Sequence, residues 1–245
     1  MQPSRLAWRV TTVKAVRPET LIASTLVLDV ADWPGHLAGQ HVDVRLTAAD
    51  GYTAQRSYSI ASAPDTSTIE LTVQRVPDGE VSAYLVDEAR PGDQFELRGP
   101  IGGYFAWRPV STRPLLLLAG GSGIVPLMAM IRTRAASGNA APVRLVYSVR
   151  APDLVIYAEE LRRVAGNDGV EVSYVYTRSV PEGWDEPPGR LDASRLARAA
   201  WPPSAEPDCY VCGPTGFVEA AADLLVAAGH QPERIRTERF GPSGG

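Results

Sequence analysis

Along the first hundred residues, apolar and polar positions alternate in short runs at 8–16, 21–30, 41–47, 55–61, 69–76 and 94–99. Alternation of period two marks strands with one face buried. The turn dipeptides Pro34-Gly35, Asp50-Gly51, Asp78-Gly79 and Pro91-Gly92 punctuate the runs. Residues 80–88 break the pattern, with Val81, Tyr84 and Leu85 spaced for one face of a helix. Many short strands with one helix predict a small antiparallel β-barrel.

From Arg113 onward the rhythm changes. Apolar runs at 115–119, 143–149, 170–177, 209–212 and 235–240 alternate with helical spacing at 124–137, 153–165, 192–200 and 214–228. Such alternation predicts an α/β domain, a Rossmann-like parallel sheet with helices on both faces. Residues 178–189, rich in Pro, Gly, Asp and Glu, read as a loop. The junction is expected within 101–113, which holds Gly102-Gly103 and Pro109, and it divides the chain into 1–108 and 109–245.

The strongest signal is the stretch 114–131, PLLLLAGGSGIVPLMAMI. Four leucines form a strand buried on both faces. The chain then turns at Gly120-Gly121-Ser122-Gly123 and enters a helix with Pro126 in its first turn, where a missing N–H costs little. Free N–H groups at such a helix start attract phosphate. A membrane span needs about 20 apolar residues, and this stretch carries three glycines and two prolines. A plain buried βα unit is the other reading, because Pro126 stands where the dinucleotide fingerprint has Gly or Ala.

Composition narrows the partners. The net charge of −4 over 245 residues gives no basic footprint for nucleic acid or an anionic membrane. Lys14 is the only lysine, so the cationic groups are nearly all arginines, suited to bidentate phosphate binding. Two cysteines and three histidines cannot build a four-thiolate cluster or an ordinary structural zinc site, so no metal is expected. MQPSRLAWRV lacks an apolar signal region, and a reduced, cytoplasmic protein is expected. Cys209 and Cys212 lie three apart on a strand, which points them to opposite faces and argues against a dithiol. Cys209 reads as an inert core residue, while Cys212, before Gly213-Pro214, is expected to face a ligand.

Candidate chemistry clusters at strand ends and turns. In Arg56-Ser57-Tyr58-Ser59, Arg56 and Tyr58 share one face of a strand and Ser57 and Ser59 the other. Arg56 offers a fork to phosphate and Tyr58 a flat ring. Gly79-Glu80-Val81-Ser82 opens a helix and forms a second phosphate cradle. Two cradles around an aromatic ring suit a flavin nucleotide; an ordinary strand and an ordinary helix cap are the alternatives. In the second half, an NAD-specific site would carry a carboxylate at the second strand end. Arg150 stands there, Thr177-Arg178 at the next end and Arg190 beyond the loop. Arginines favour a 2′-phosphate, unless they are merely solvated.

In this order RSYS, GEVS, GGSGIVP, CGP and ERF resemble the ferredoxin–NADP reductase superfamily over roughly residues 5–241. The resemblance implies a flavin-binding barrel followed by a nicotinamide-nucleotide domain. It implies that Arg56 binds flavin phosphates, Tyr58 stacks on the ring and Ser59 reaches its reactive nitrogen. Gly79, Val81 and Ser82 match the second flavin motif, and Val73 and Arg75 the strand that lines the flavin. Gly121, Ser122 and Gly123, next to Gly120, match the pyrophosphate loop. Cys212, beside Gly213 and Pro214, matches the nicotinamide cysteine. Glu238 and Phe240 match the terminal acid and the aromatic that shields the flavin. Plant-type members end on that aromatic, whereas here Gly241 and four further residues follow.

The implied function is a flavin-dependent oxidoreductase. It passes hydride from NAD(P)H to FAD and electrons onward to a separate acceptor, such as a ferredoxin or oxygenase component. FMN is the alternative flavin, and NADPH is expected over NADH. The rival readings are a flavin or ferric reductase with diffusible acceptors and a non-catalytic electron-transfer subunit. The acceptor and the oligomeric state stay open.

Overall fold

The computed structural model describes residues 6–64, 68–167 and 169–240. The first sheet contains β1 (Trp8–Thr20), β2 (Ala23–Val30), β3 (His41–Thr47), β4 (Thr53–Ser59), β5 (Ile69–Gln74) and β6 (Gln94–Ile101). All pairings are antiparallel, in the order β4-β3-β6-β1-β2-β5. β1 runs beyond the expected 8–16 because register shifts at Val13/Ala15 and Pro18/Thr20 let it bend while staying paired with β2. The inward positions Leu26, Leu28, Val42, Val44, Leu71, Val73 and Leu97 are buried and form the barrel core.

The two edge strands meet at an isolated bridge between Ile60 and Leu71, and Ala61 N–H donates to Glu70 O at 2.7 Å. A helical segment of α1 (Glu80–Ala83), continuing as a wide turn over Tyr84–Glu88, plugs the barrel with Val81 and Leu85. Outside, the guanidiniums of Arg45 and Arg98 both lie over the Trp8 ring, 4.1 and 4.8 Å from its centre. Arg45 grips Glu96 with two hydrogen bonds, while Arg98 and Ser57 both donate to Asp43 at 2.6 Å.

The second sheet is parallel, built from β7 (Leu115–Gly120), β8 (Val143–Val149), β9 (Val170–Tyr176), β10 (Asp208–Pro214) and β11 (Ile235–Phe240). Its order is β11-β10-β7-β8-β9. The chain adds strands on one side of β7, then crosses to the other, which leaves a crevice between the ends of β7 and β10. Helices α2 (Ile124–Ala136), α3 (Ala158–Val164), α4 (Ala193–Ala199) and α5 (Thr215–Ala227) cover the faces. The α3 helix is shorter than the expected 153–165. Pro152–Leu154 makes a separate turn, and Tyr157 adopts a left-handed φ of 61° just before the helix. Among the described residues, no helix is long and apolar enough to cross a membrane.

Residues 124–131 of α2 are buried without a polar face. A helix apolar all round needs cover on every side. One side packs on the sheet, and the same core includes Ala23, Ala38 and Ala61 of the barrel half. Polar contacts rim this shared core. Arg132 donates to Ala61 O at 2.8 Å, to Glu70 at 3.1 Å and to Glu160 at 2.9 Å. Tyr157 ties both of its ends to the barrel, its N–H to Glu19 at 3.2 Å and its hydroxyl to Thr72 at 2.5 Å. Thr25 closes the ring, bonded to Thr72 at 2.7 Å and donating to Glu19 at 2.6 Å.

Asp43 gives this fold a pH signature. Burial pushes its carboxyl up, but hydrogen bonds from Ser57 and Arg98 and the charge of Arg98 outweigh that and hold it below its ordinary value. A depressed carboxylate contributes stability that is present above the unfolded pKa and is lost as pH falls through the folded one. Asp43→Asn is expected to cost about 1–3 kcal/mol at pH 7. The gap to wild type should shrink toward pH 3, as read by urea denaturation at both values. An equal gap at both would mean that the Asp43 charge adds nothing.

Candidate functional site

The site has two walls, one from each half of the chain. On the barrel, Arg56 and Tyr58 pair in register with Val44 and Val42, both core residues, so they share the inward face of β4. Arg56 is nevertheless exposed and Tyr58 half-buried, because β4 is an edge strand. Two links bound the opening beside it. One is the Ile60–Leu71 bridge, and the other is the hydrogen bond from the Tyr52 hydroxyl to Glu80 at 3.1 Å. Next to it lies a hollow of about 290 Å³ lined by Arg75, Val76, Asp78, Gly79, Glu80 and Ala83. Ser57 and Asp43 occupy the opposite face.

Several expected flavin residues are committed to the fold. The side chains of Val73 and Val81 sit in the barrel core, which leaves only their main chain for a ligand. The Ser82 hydroxyl accepts from Val76 N–H at 3.1 Å and donates to Gly79 O at 3.0 Å, closing the turn it was expected to offer to phosphate. Gly79 is required there, since a Cβ would come within 2.7 Å of Ser82 Oγ. Arg75 pairs with Asp87 at 2.7 Å while bordering the hollow.

On the second wall, the glycine turn stands at the crevice. Gly121 has a left-handed φ of 54°, and a Cβ there would find only Gln74 Oε1, 3.9 Å away, so its outer side is open. Gly123 is the reverse case: a Cβ would fall 2.0 Å from Cys212 O, so only glycine lets α2 start against the end of β10. Gly120 and Gly213 both lie against the Phe217 ring, with Cβ positions 2.6 and 2.9 Å from it. Ser122 is half-buried and Pro214 exposed.

Between the walls, His41 opens β3 paired in register with Ser59. Its Nδ1 lies 3.6 Å from Glu238 Oε1 on β11. Cys212 Sγ donates to Glu238 Oε2 at 4.0 Å, and Phe240 is half-buried against the same core. Cys212 is fully buried, because its side of β10 packs against the core that α2 shares with the barrel. Burial, and then the neighbouring Glu238 charge, push its thiol well up. Cys209 lies in the other core, and burial pushes its thiol up to about 12. The two free thiols are on opposite faces.

The remaining candidates gather at the ends of β8 and β9. Arg150, Arg178 and Arg190 are exposed and Thr177 half-buried. The carbonyl of Arg150 accepts the N–H groups of Arg178 and Ser179 at 2.9 and 3.1 Å, joining the two strand ends. Glu186, in the loop that follows β9, is held from α4 by Arg195 and Arg198 at 3.1 and 2.5 Å. Sequence reasoning missed His41, whose only signal was its place opposite Ser59 in neighbouring strands. It also missed Arg132 and Tyr157, whose partners are distant in the chain.

Residues 9–106 match the oxidoreductase FAD-binding domain and residues 117–223 the oxidoreductase NAD-binding domain. The glycine betaine monooxygenase reductase subunit of Pseudomonas aeruginosa is 33% identical over 208 residues, covering 84% of this chain and 56% of that protein. The 2-halobenzoate 1,2-dioxygenase electron transfer component of Burkholderia cepacia is 32% identical over 232 residues, 90% of this chain and 63% of that one. The chain therefore spans less than two thirds of the length of these curated relatives. Among solved structures, the FAD/NAD-binding domain of a nitric oxide dioxygenase from Vibrio cholerae superposes with a TM-score of 0.85 at 26% identity, covering 96% of this chain and 99% of that one. The ferredoxin reductase in carbazole 1,9a-dioxygenase gives 0.82 at 26% identity, covering 97% and 70%.

Both thiols are expected to resist a disulfide reagent in the native protein and to titrate as two on denaturation, since buried, protonated thiols are poor nucleophiles. Rapid labelling of native Cys212 would show that the end of β10 opens in solution.

Proposed function

The chain belongs to the ferredoxin–NADP reductase superfamily, and from that premise we propose that it is an NAD(P)H-dependent flavoprotein reductase serving a separate electron acceptor. The observation that carries the reading is the convergence of Ser59 and His41 from the barrel with Glu238 and Cys212 from the parallel sheet. The domains are taken as 1–108 for flavin and 109–245 for the nicotinamide coenzyme, and the reading includes a cytoplasmic location.

The residues fit a flavin dinucleotide. Arg56 has a single described hydrogen bond, to Gln55 O at 2.7 Å, which leaves most of its fork for phosphate. The hollow beside Gly79 can take the next part of such a ligand. Tyr58 would hold the ring system, its phenol kept protonated by burial. Bound FAD supplies the redox chemistry, accepting hydride and releasing electrons. The open Gly121-Ser122-Gly123 turn binds the coenzyme pyrophosphate through main-chain N–H groups. Ser59 and Cys212 position the reacting rings, Cys212 keeping its proton on Sγ, while Glu238 anchors His41 and Phe240 covers the cleft. Arg150, Thr177, Arg178 and Arg190 favour the 2′-phosphate of NADPH over NADH. The relatives named as components of oxygenase systems support a ferredoxin or oxygenase component as the acceptor.

The purified protein is expected to be yellow with FAD, and under anaerobic conditions NADPH should bleach it faster than NADH. Arg178→Ala should lower kcat/KM for NADPH by about tenfold, the loss of one charge-assisted hydrogen bond. A colourless protein that takes up no flavin would sink the reading, whereas an NADH preference untouched by Arg178→Ala would overturn only the coenzyme.

Arg56→Ala should weaken FAD binding by about 1.5–3 kcal/mol, and Arg56→Lys should recover only part of it. Flavin release followed by fluorescence checks this, and unchanged affinity would leave Arg56 a mere surface residue.

A further inference from the structure

The choice between FAD and FMN is open to a structural argument, which rests on the flavin reading above. Arg56 offers its fork to a phosphate that both flavins carry, so it does not separate them. What separates them is the ground past that phosphate.

That ground is the hollow of about 290 Å³ beside β4. It is poorly built for a phosphate. The single cation in its lining, Arg75, is already paired with Asp87 at 2.7 Å. Asp78 and Glu80 also line it, and among the described residues neither forms an ion pair. Val76 and Ala83 add an apolar wall. With its cation engaged and two carboxylates free, the hollow suits a ligand part that is uncharged, bears hydroxyls and is partly apolar. Adenosine has those properties, and a terminal phosphate does not.

Glu80 is held where the fork meets the hollow. Tyr52 ends the β3–β4 turn and donates its hydroxyl to Glu80 Oε2 at 3.1 Å. The turn is itself closed, with Tyr52 N–H donating to Asp50 Oδ1 at 3.0 Å and Ala48 N–H to Tyr52 O at 2.8 Å. The bond to Glu80, and then its charge, hold the Tyr52 phenol above its ordinary value against the pull of Arg56. Glu80 and Arg56 therefore both stand near one hydroxyl. Glu80 Oε1 is left without a hydrogen bond among the described residues.

We propose that Glu80, positioned by Tyr52, selects FAD over FMN. Its carboxylate accepts hydroxyls of the adenosine ribose, the chemistry by which an acid holds a ribose in dinucleotide sites. It also repels the alternative ligand. FMN ends in a phosphate monoester, which carries about −1.5 to −2 at neutral pH, whereas each phosphate of FAD is bridged on two sides and carries less. Attraction for one flavin and repulsion of the other act together.

The test is fluorescence titration of the flavin-free full-length chain with FAD and with FMN at low ionic strength, where screening is weak. Wild type should bind FAD about tenfold or more tightly than FMN. Glu80→Gln should tighten FMN about threefold, since the repulsion is gone. Glu80→Ala should in addition weaken FAD about tenfold, the loss of one charge-assisted hydrogen bond. Tyr52→Phe should narrow the preference in the same direction but by less. An unchanged ratio of the two affinities in both Glu80 variants would overturn the proposal, as would equal tightening of both flavins, which is a plain net-charge effect. A wild type that binds FMN as tightly as FAD would also overturn it. Failure of the wild type to bind either flavin would instead bring down the flavoprotein reading on which the selection rests.

Discussion

Everything in the site depends on the seam that fixes one half of the chain against the other. Arg132 bonds two groups across it, Ala61 O and Glu70, and is steadied by Glu160 on its own side, while Tyr157 is bonded at both ends to a ring made by Glu19, Thr25 and Thr72. These polar groups are buried or half-buried, so each partner removed leaves another unsatisfied, and that cost exceeds the net worth of the bond itself. The left-handed Tyr157 is a local strain that the ring over-determines. With the seam in place, Ser59 and Glu238 arrive on facing walls although they lie far apart in the chain.

The apolar partner of the seam is α2, which acts as core for both halves. Its start is set by a contact that only glycine permits, Gly123 against the carbonyl of Cys212. The same backbone position therefore places the glycine turn and the end of β10. A shift of either would move the other, so the two sides of the crevice are referenced to one rigid point. That is the precision a hydride-transfer site demands, where small displacements of the reacting atoms are costly.

Much of this was legible in the residues. Strand periodicity located every strand to within a few positions, since alternation reports burial directly. β1 escaped its boundary because bulges break the period while pairing continues. The 153–165 helix was overextended, because nothing local announces that Tyr157 will take a left-handed conformation to reach Thr72. Val73 and Val81 match a flavin motif while their side chains fill the barrel core, so a motif match alone does not say whether side chain or main chain meets a ligand. The strand period also separates Cys209 from Cys212, three apart on β10, and they lie in different cores. His41 and Arg132 act through partners distant in sequence, and periodicity carries no information about which distant residues meet.

The order of the parallel sheet carries a burden for biogenesis. β7 holds the four leucines, and β10 covers one of its edges. β10 begins only at Asp208, after β8, β9 and the intervening helices have been made. At about 5–20 residues per second, ribosomal synthesis leaves that edge without its partner for roughly 4–18 s. An unpaired apolar edge is a template for strand addition by another chain. The crossover that creates the crevice thus also leaves the nascent chain with an unpaired apolar edge until β10 emerges.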